Sequence, residues 1–497
     1  MTHTGGSANE RKEATMSDVP ESWELVCGLE VHCELATVTK LFCGCRNHFG
    51  DEPNTNVCPV CLGLPGSLPV LNVNALEYAM KLGRALHCTV NSAEFARKNY
   101  FYPDMPKDYQ VTQYDQPTNT TGYLDLPAGK RIGIVRAHIE EDTGKTSHGG
   151  GDGRIHGAEY SLVDYNRSGV PLVEIVSEPD LRSADEAKAY VDELRKIVLA
   201  LGVSDAKMEE GSMRVDANVS VRPRGSSELR TRCEIKNINS LSSLERAIRY
   251  EANRHIGLYD SGERPHQETR HRDEEHQRTR AGRSKENSDD YRYFPEPDLL
   301  PLEPSHIDVE RIDASLPLLP AARRARLADV ATVTAERAGL IVDRGQDEFA
   351  FDAIRAGADP ARVLVHIEQN LKDGFGSMGV DDFVRLITME TQSKLSATQT
   401  KQVLAELVAH GGSPEVVAKA KGFEAMDSGD LEAIIDKIIT DNPDEWQRYV
   451  KADEKAANKI YGFFAGLVMK STHGKADGKA VRDIFMRRRA EQPPTIL

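Results

Sequence analysis

No apolar run in the 497-residue chain approaches the ~18 residues that a membrane-crossing helix needs, so no membrane anchor is expected. An excess of positive charge is also missing. The chain carries 63 Lys and Arg against 78 Asp and Glu, a formal net charge of −15. Phosphate backbones are held by Lys and Arg, so this is no general nucleic-acid coat, and any nucleic-acid contact must be local and selected by shape. A phosphate-cradling P-loop is absent too. Gly144-Lys145-Thr146 has the end of one, but the earlier glycine it requires falls on Ile139. Nothing near the N-terminus has the pattern of a secretory signal, which makes a reducing, cytoplasmic setting the expectation.

Cysteine is sparse, yet four of the eight are concentrated in Cys43-Gly44-Cys45 and Cys58-Pro59-Val60-Cys61. Two close pairs separated by a polar stretch have the spacing of a tetrahedral Cys₄ zinc site. Four thiolates leave no open position, so such a zinc would be structural. A disulfide pair is the weaker rival in a reducing compartment, and ordinary buried thiols rarely fall into two such pairs. Cys27, Cys33, Cys88 and Cys233 are scattered and read as single buried thiols.

With 39% hydrophobic residues the chain has material for more than one core. Residues 1–20 are polar and read as a disordered tail. From Trp23 to about Pro304, short apolar runs (Arg131 to Val135, Pro171 to Val176, Ala217 to Val221) alternate with Gly/Pro/Asn/Asp loops and occasional helices. That irregular alternation predicts an α+β domain with a mostly antiparallel sheet. Ala184 to Leu201 is the clearest helix, with a capping box of Ser183 and Glu186 and a stop at Gly202. Residues 264–292 are rich in His and Arg, and read either as a solvated loop or as a mobile segment over an anion. After about residue 310 the pattern is helical. Leu431, Ile434, Ile435 and Ile438 follow one helical face, and Asn442-Pro443 has the form of an N-cap followed by Pro at the first helical position.

Several acidic residues sit where short strands would present them. Glu30 and His32 are two apart, so on a strand they share a face. Glu140, Glu141 and Asp142 follow His138 after an apolar strand. Glu174 lies inside an apolar run, a costly place for a lone carboxylate. Asp216 and Asn218 again share a face. Hard carboxylate oxygens suit Mg²⁺, and Mg²⁺ holds phosphates; each residue taken singly is as well explained by an ion pair.

Together, Gly28-Leu29-Glu30-Val31-His32, Arg97-Lys98-Asn99-Tyr100-Phe101-Tyr102-Pro103-Asp104, His138-Ile139-Glu140-Glu141-Asp142-Thr143-Gly144-Lys145, Pro171 to Asp180 and Asp289 to Asp298 resemble the B-subunit family of aspartyl/glutamyl-tRNA(Asn/Gln) amidotransferases, from about Trp23 to the end. The stretch from Asn442 through Lys470 is similar to that family's YqeY-like helical domain. The Cys₄ array resembles the family's zinc-bearing branch. The large synthetase-like insert of archaeal relatives has no counterpart here.

The resemblance implies a kinase-like catalytic cradle over residues 21–305, a helical domain over 306–410 and a tRNA-binding tail over 411–497. It implies conversion of Asp-tRNA(Asn) or Glu-tRNA(Gln) to the amide. ATP would phosphorylate the side-chain carboxylate, and ammonia made from glutamine on an A subunit would then displace phosphate, with a small C subunit completing a heterotrimer. On the matching motifs it makes Glu30, His32, Glu140 and Glu174 a catalytic Mg²⁺ site, with Glu141, Asp142, Asp216 and Asn218 as lesser candidates. Lys98, Lys145, Asp216, Asn218 and Lys236 are candidates for binding ATP. Two rivals are a zinc-clamped tRNA scaffold without phosphoryl transfer and a metal-dependent nucleotide hydrolase. No amidase-type Ser-Ser-Lys arrangement is evident, so the chain alone is not expected to release ammonia from glutamine.

Overall fold

The computed structural model describes residues 19–150, 158–274, 276–284, 288–423, 428–472, 476 and 478–491. Two compact units divide the chain, Met1–Ala321 and Ala322–Leu497.

The first unit is built on nine strands: β1 (Trp23–Glu34), β2 (Thr89–Val90), β3 (Asn119–Asp125), β4 (Arg131–Glu141), β5 (Pro171–Ser177), β6 (Met213–Pro223), β7 (Cys233–Ile238), β8 (Glu268–Asp273) and β9 (Arg278–Ser284). Their spatial order is β2-β3-β4-β5-β1-β6-β7-β8-β9. The chain thus crosses the sheet from edge to edge in sequence order, except that β1 is inserted at the centre. Neighbours pair antiparallel throughout, save β7 with β8. That parallel pair follows from its connection, the long helix α3 (Leu241–Asp260), which carries the chain back to start β8 in the same direction as β7.

Alternation along the strands decides the two faces. Leu25, Cys27, Leu29, Val31 and Cys33 of β1 pack with Val173 and Ile175 of β5 and Val215, Ala217 and Val219 of β6. On this side lie α1 (Val73–Ala85), α2 (Ala184–Leu201) and α3, which contribute Leu82, Leu194 and Leu244 to the same core. The even-numbered residues of the same strands, Glu30, His32, Glu174 and Asp216 among them, take the opposite face.

The ends of α2 fall where expected. Ser183 accepts a hydrogen bond from the Glu186 N–H, and Gly202 takes the left-handed conformation at φ 66°. The capping box is only half formed, because the Glu186 carboxylate bonds to the Arg182 N–H at 2.7 Å and to Lys130 at 2.6 Å. Within the His/Arg-rich stretch of 264–292, where a loop was one expectation, Glu268–Asp273 and Arg278–Ser284 are strands that form the β8–β9 pair at the sheet edge. Its arginines hid the strand pattern, because Arg270 and Arg272 are held by ion pairs to Glu251, Glu268 and Glu274 and do not point freely into water. Of the expected polar tail, residues 1–18 lie outside the described residues, and Val19 is packed in the core.

A small three-stranded sheet joins Phe294–Pro295, Ala96–Asn99 and Tyr109–Thr112, and a separate ribbon pairs Lys145–Gly149 with Tyr160–Asp164. The second unit is helical throughout its described residues. It holds two cores, one from Leu327 to Ala418 and one from Leu431 to Phe485. Leu431 and Ile435 are buried as their periodicity predicts. Asn442 precedes the helix Pro443–Lys451, but its side chain turns back to donate to the Ile438 carbonyl at 2.8 Å and does not cap that helix.

Candidate active site

The central strands set one row of side chains on the face opposite the helices. His32 on β1 stands opposite Glu174 on β5, and Glu174 stands opposite His138 on β4. His32 Nε2 lies 3.4 Å from Glu174 and 3.9 Å from Glu140, while His138 Nε2 lies 3.8 Å from each carboxylate. Thr112 donates to Glu140 at 3.3 Å. Ligand atoms of His32, Glu140 and Glu174 fall within 4.8 Å of one another, close enough to share one ion. The apolar run around Glu174 does not enclose it, since its strand turns Glu174 away from the core in which Val173 and Ile175 are buried.

Electrostatics keep this group charged. Burial by itself would lower the His32 pKa, but the hydrogen bond and charge of Glu174, with Asp216 and Glu140 behind it, raise it to about 9. Burial would raise Glu174, yet His138, His32 and Arg136 hold it well below the usual carboxylate range. His138 Nδ1 is buried without a hydrogen-bond partner.

One row along β1, Glu30 stands opposite Asp216 on β6. Glu30, Asp216 and Glu234 form a second group whose oxygens lie within 4.8 Å of one another. Asn218 donates to Glu30 at 2.9 Å, and the Lys236 ammonium lies 3.0 Å from Asp216 and 3.6 Å from Glu234. Burial would lower the Lys236 pKa, but Asp216 and Glu234 raise it above the ordinary lysine value. The structure therefore divides the four-residue set read from the motifs, with Glu30 in the second group.

Other candidates lie elsewhere. Glu141 is buried in an ion pair with Lys107 and accepts the Val111 N–H at 2.8 Å. Asp142 pairs with Arg214 at 2.9 Å and Arg167 at 3.4 Å. Lys145 is exposed on the two-stranded ribbon. The Lys98 ammonium sits 4.5 Å over the Tyr291 ring.

Residues 25–310, which carry both acidic groups and the four clustered cysteines, match the family model of the GatB/GatE catalytic domain. Among similar proteins, the B subunit of the aspartyl/glutamyl-tRNA(Asn/Gln) amidotransferase from Frankia casuarinae is 47% identical over 494 residues, covering 95% of this chain and 97% of the relative. The chain belongs to the amidotransferase B-subunit family. The corresponding protein of Thermobifida fusca is 46% identical, with 95% of each chain covered. That of a Synechococcus species is 44% identical, covering 93% of this chain and 97% of the relative. The family's GatB domain matches residues 365–488, which reach into both helical cores.

Within this B-subunit fold the clustered thiols of Cys43, Cys45, Cys58 and Cys61 also lie within 4.8 Å of one another. The Cys58 and Cys61 sulfurs are 3.9 Å apart, near the ~3.8 Å edge of a tetrahedron with 2.3 Å zinc–sulfur bonds. The Cys43 thiol's hydrogen bond draws Cys61 down to about 5 against the effect of burial, with the Lys40 charge adding to it. The donor set fits zinc.

A third group, Cys233, Glu251 and His255, has metal-ligand composition and lies on the helix side. Its carboxylate is already taken by Arg254, by Arg270 at 3.4 Å and by the Thr279 hydroxyl at 2.8 Å, and Arg254 also reaches the Cys233 sulfur at 3.4 Å. Guanidinium groups hold the place of a cation there, which makes it a structural network. Sequence reasoning passed over Glu234 and His138. Both are legible as positions on the face opposite the helices once β7 is known to lie beside β6, and β4 beside β5.

Proposed function

We propose that the chain activates the side-chain carboxylate of a misacylated tRNA, Asp-tRNA(Asn) or Glu-tRNA(Gln), for conversion to the amide. The carboxylate oxygen attacks the γ-phosphorus of ATP, giving an acyl phosphate and ADP. Ammonia then adds to the acyl carbon, inorganic phosphate leaves, and the released proton passes to solvent or a nearby base. A carboxylate is a poor electrophile because its leaving group would be oxide, and the acyl phosphate removes that obstacle. Phosphoryl transfer asks a protein mainly for position and charge neutralisation.

The observation that carries this reading is the convergence of two carboxylate groups on one sheet face of an amidotransferase B-subunit fold. Glu140 and Glu174, with His32 once it has given up its proton, would hold one Mg²⁺, and Glu30, Asp216 and Glu234 a second. Magnesium bound to such oxygens neutralises phosphate charge and polarises the transferring group. Asn218 orients Glu30, while Lys236 and Lys98 offer positive charge to phosphate. Cys43, Cys45, Cys58 and Cys61 would hold a zinc that clamps the loops of residues 43–61, and metal analysis of the purified chain is expected to return about one zinc. Such a thiolate site suits a reducing, cytoplasmic setting.

Ammonia comes from glutamine on an A subunit, and a small C subunit completes the heterotrimer. The helical tail over 411–497 reads the tRNA by shape, through minor-groove and 2′-hydroxyl contacts. The deciding experiment is an amidation assay with the partner subunits and each misacylated tRNA, scoring ATP turnover that depends on that tRNA. ATP turnover without tRNA would favour a plain nucleotide hydrolase, and tRNA binding without turnover a scaffold. Deletion from residue 412 onward is expected to weaken tRNA binding more than ATP binding, and equal loss of both would reduce the tail to a support of the fold.

A further inference from the structure

Aromatic residues make up only 6% of the chain, yet a group of them gathers beside the first acidic cluster. Tyr114 and Tyr293 stack with ring centroids 4.0 Å apart and planes 8° from parallel. Tyr291 meets Tyr293 edge-on at 6.1 Å. Tyr114 follows by two residues the Thr112 whose hydroxyl bonds Glu140, which brings the stack near that carboxylate. The Tyr293 hydroxyl is pushed upward by burial first and then by the charges of Glu140, Tyr291 and Glu174.

The stack is held firmly from behind. Asn99 donates to the carbonyls of Tyr291 and Arg292 at 2.9 and 2.8 Å. Phe294 pairs with Arg97 in the small sheet, and Arg97 grips Glu296 with two bonds of 2.6 and 2.7 Å. Tyrosines that only fill a core are covered, whereas Tyr114 remains 45% exposed. A rigid backing that holds flat rings at the surface beside a charged cluster is how proteins seat nucleobases, whose faces stack on aromatic side chains without needing a hydrogen-bond code. The Lys98 ammonium over Tyr291 adds a cation at the same place, suited to a phosphate attached to such a base.

We infer that the Tyr114–Tyr293 stack is a seat for an adenine base that delivers its attached groups to the acidic cluster. This rests on the activity proposed above, in which both substrates carry adenine: ATP, and the 3′-terminal adenosine that bears the amino acid on tRNA. The experiment uses the reconstituted heterotrimer with Tyr114→Leu, Tyr293→Leu and Tyr293→Phe. Michaelis constants are measured separately for ATP and for misacylated tRNA. Base stacking is read independently, as fluorescence quenching of 2-aminopurine placed in the nucleotide triphosphate or at the tRNA 3′ end.

Both leucine variants are expected to raise one Michaelis constant by about tenfold and to abolish the matching quenching, while Tyr293→Phe retains both. A rise for ATP assigns the seat to the nucleotide, and a rise for tRNA assigns it to the terminal adenosine. Unchanged constants together with undiminished quenching in Tyr114→Leu overturn the inference, and because that ring is the more exposed of the two, this variant serves even where Tyr293→Leu fails to fold. Quenching by the wild-type complex in the absence of any amide product would count against the proposed reaction and leave the seat standing.

Discussion

The acids buried on the two sides of one sheet differ in how they are paired. Behind the sheet, both oxygens of Glu251 are taken, one by Arg254 and the other by Arg270 and Thr279. On the face opposite the helices, Glu140 and Glu174 meet the imidazoles of His32 and His138 and the guanidinium of Arg136 only at 3.4 to 3.9 Å. Glu30, Asp216 and Glu234 fall between, with Lys236 among them. A carboxylate whose partners are tightly packed guanidinium groups stabilises the fold. Carboxylates that converge on each other with only loosely placed imidazoles leave room for a ligand of positive charge.

The sharpest break of this comparison is Glu174→Gln. Amide formation is expected to fall by on the order of 10²–10³, with tRNA binding retained in a filter-binding assay and the melting temperature little changed. Full activity in that variant would remove Glu174 from the chemistry. Glu251→Gln should do the opposite. Arg254 and Arg270 would keep only Glu268 as an anion, at a cost of about 1–3 kcal/mol, measured by denaturant unfolding, while the folded fraction keeps its turnover.

Acid titration sharpens the same contrast. Burial would raise Glu251, but His255 and Arg254 bring it down from 4.5 to about 2. A depressed carboxyl stabilises the fold above its unfolded value, so the contribution is complete above pH ~4.5 and disappears as pH falls through about 2, in total about 3 kcal/mol. Unfolding curves at descending pH should show that loss, and Glu251→Gln should flatten it. The smallest effect belongs to the intermediate group. Asp216→Asn is expected to raise the magnesium concentration needed for half-maximal turnover by about tenfold. A fall in turnover at saturating magnesium equal to that of Glu174→Gln would erase the distinction between the two groups.

Much of this was written locally. The strands around Val135, Val176 and Val221, the helix from Ala184 to Gly202 and the Cys₄ spacing follow from residue type and period alone, because alternation and capping are properties of neighbours in sequence. The β8–β9 hairpin was not legible, since its arginines look like loop residues until their pairing is known, with Glu268 and Glu274 in the hairpin itself and with Glu251 on α3. Glu141 and Asp142 resembled Glu140 for the same reason, and only their partners Lys107 and Arg214 tell them apart.

The order of residues therefore settled which side chains share a strand face, Glu30 with His32 and Asp216 with Asn218, because a side-chain period of two is local geometry. Which of those faces meet was settled by the insertion of β1 between β5 and β6. That arrangement sets His32 against Glu174 and Glu30 against Asp216, residues more than a hundred positions apart whose proximity depends on strand pairing and the packing of the helices behind the sheet.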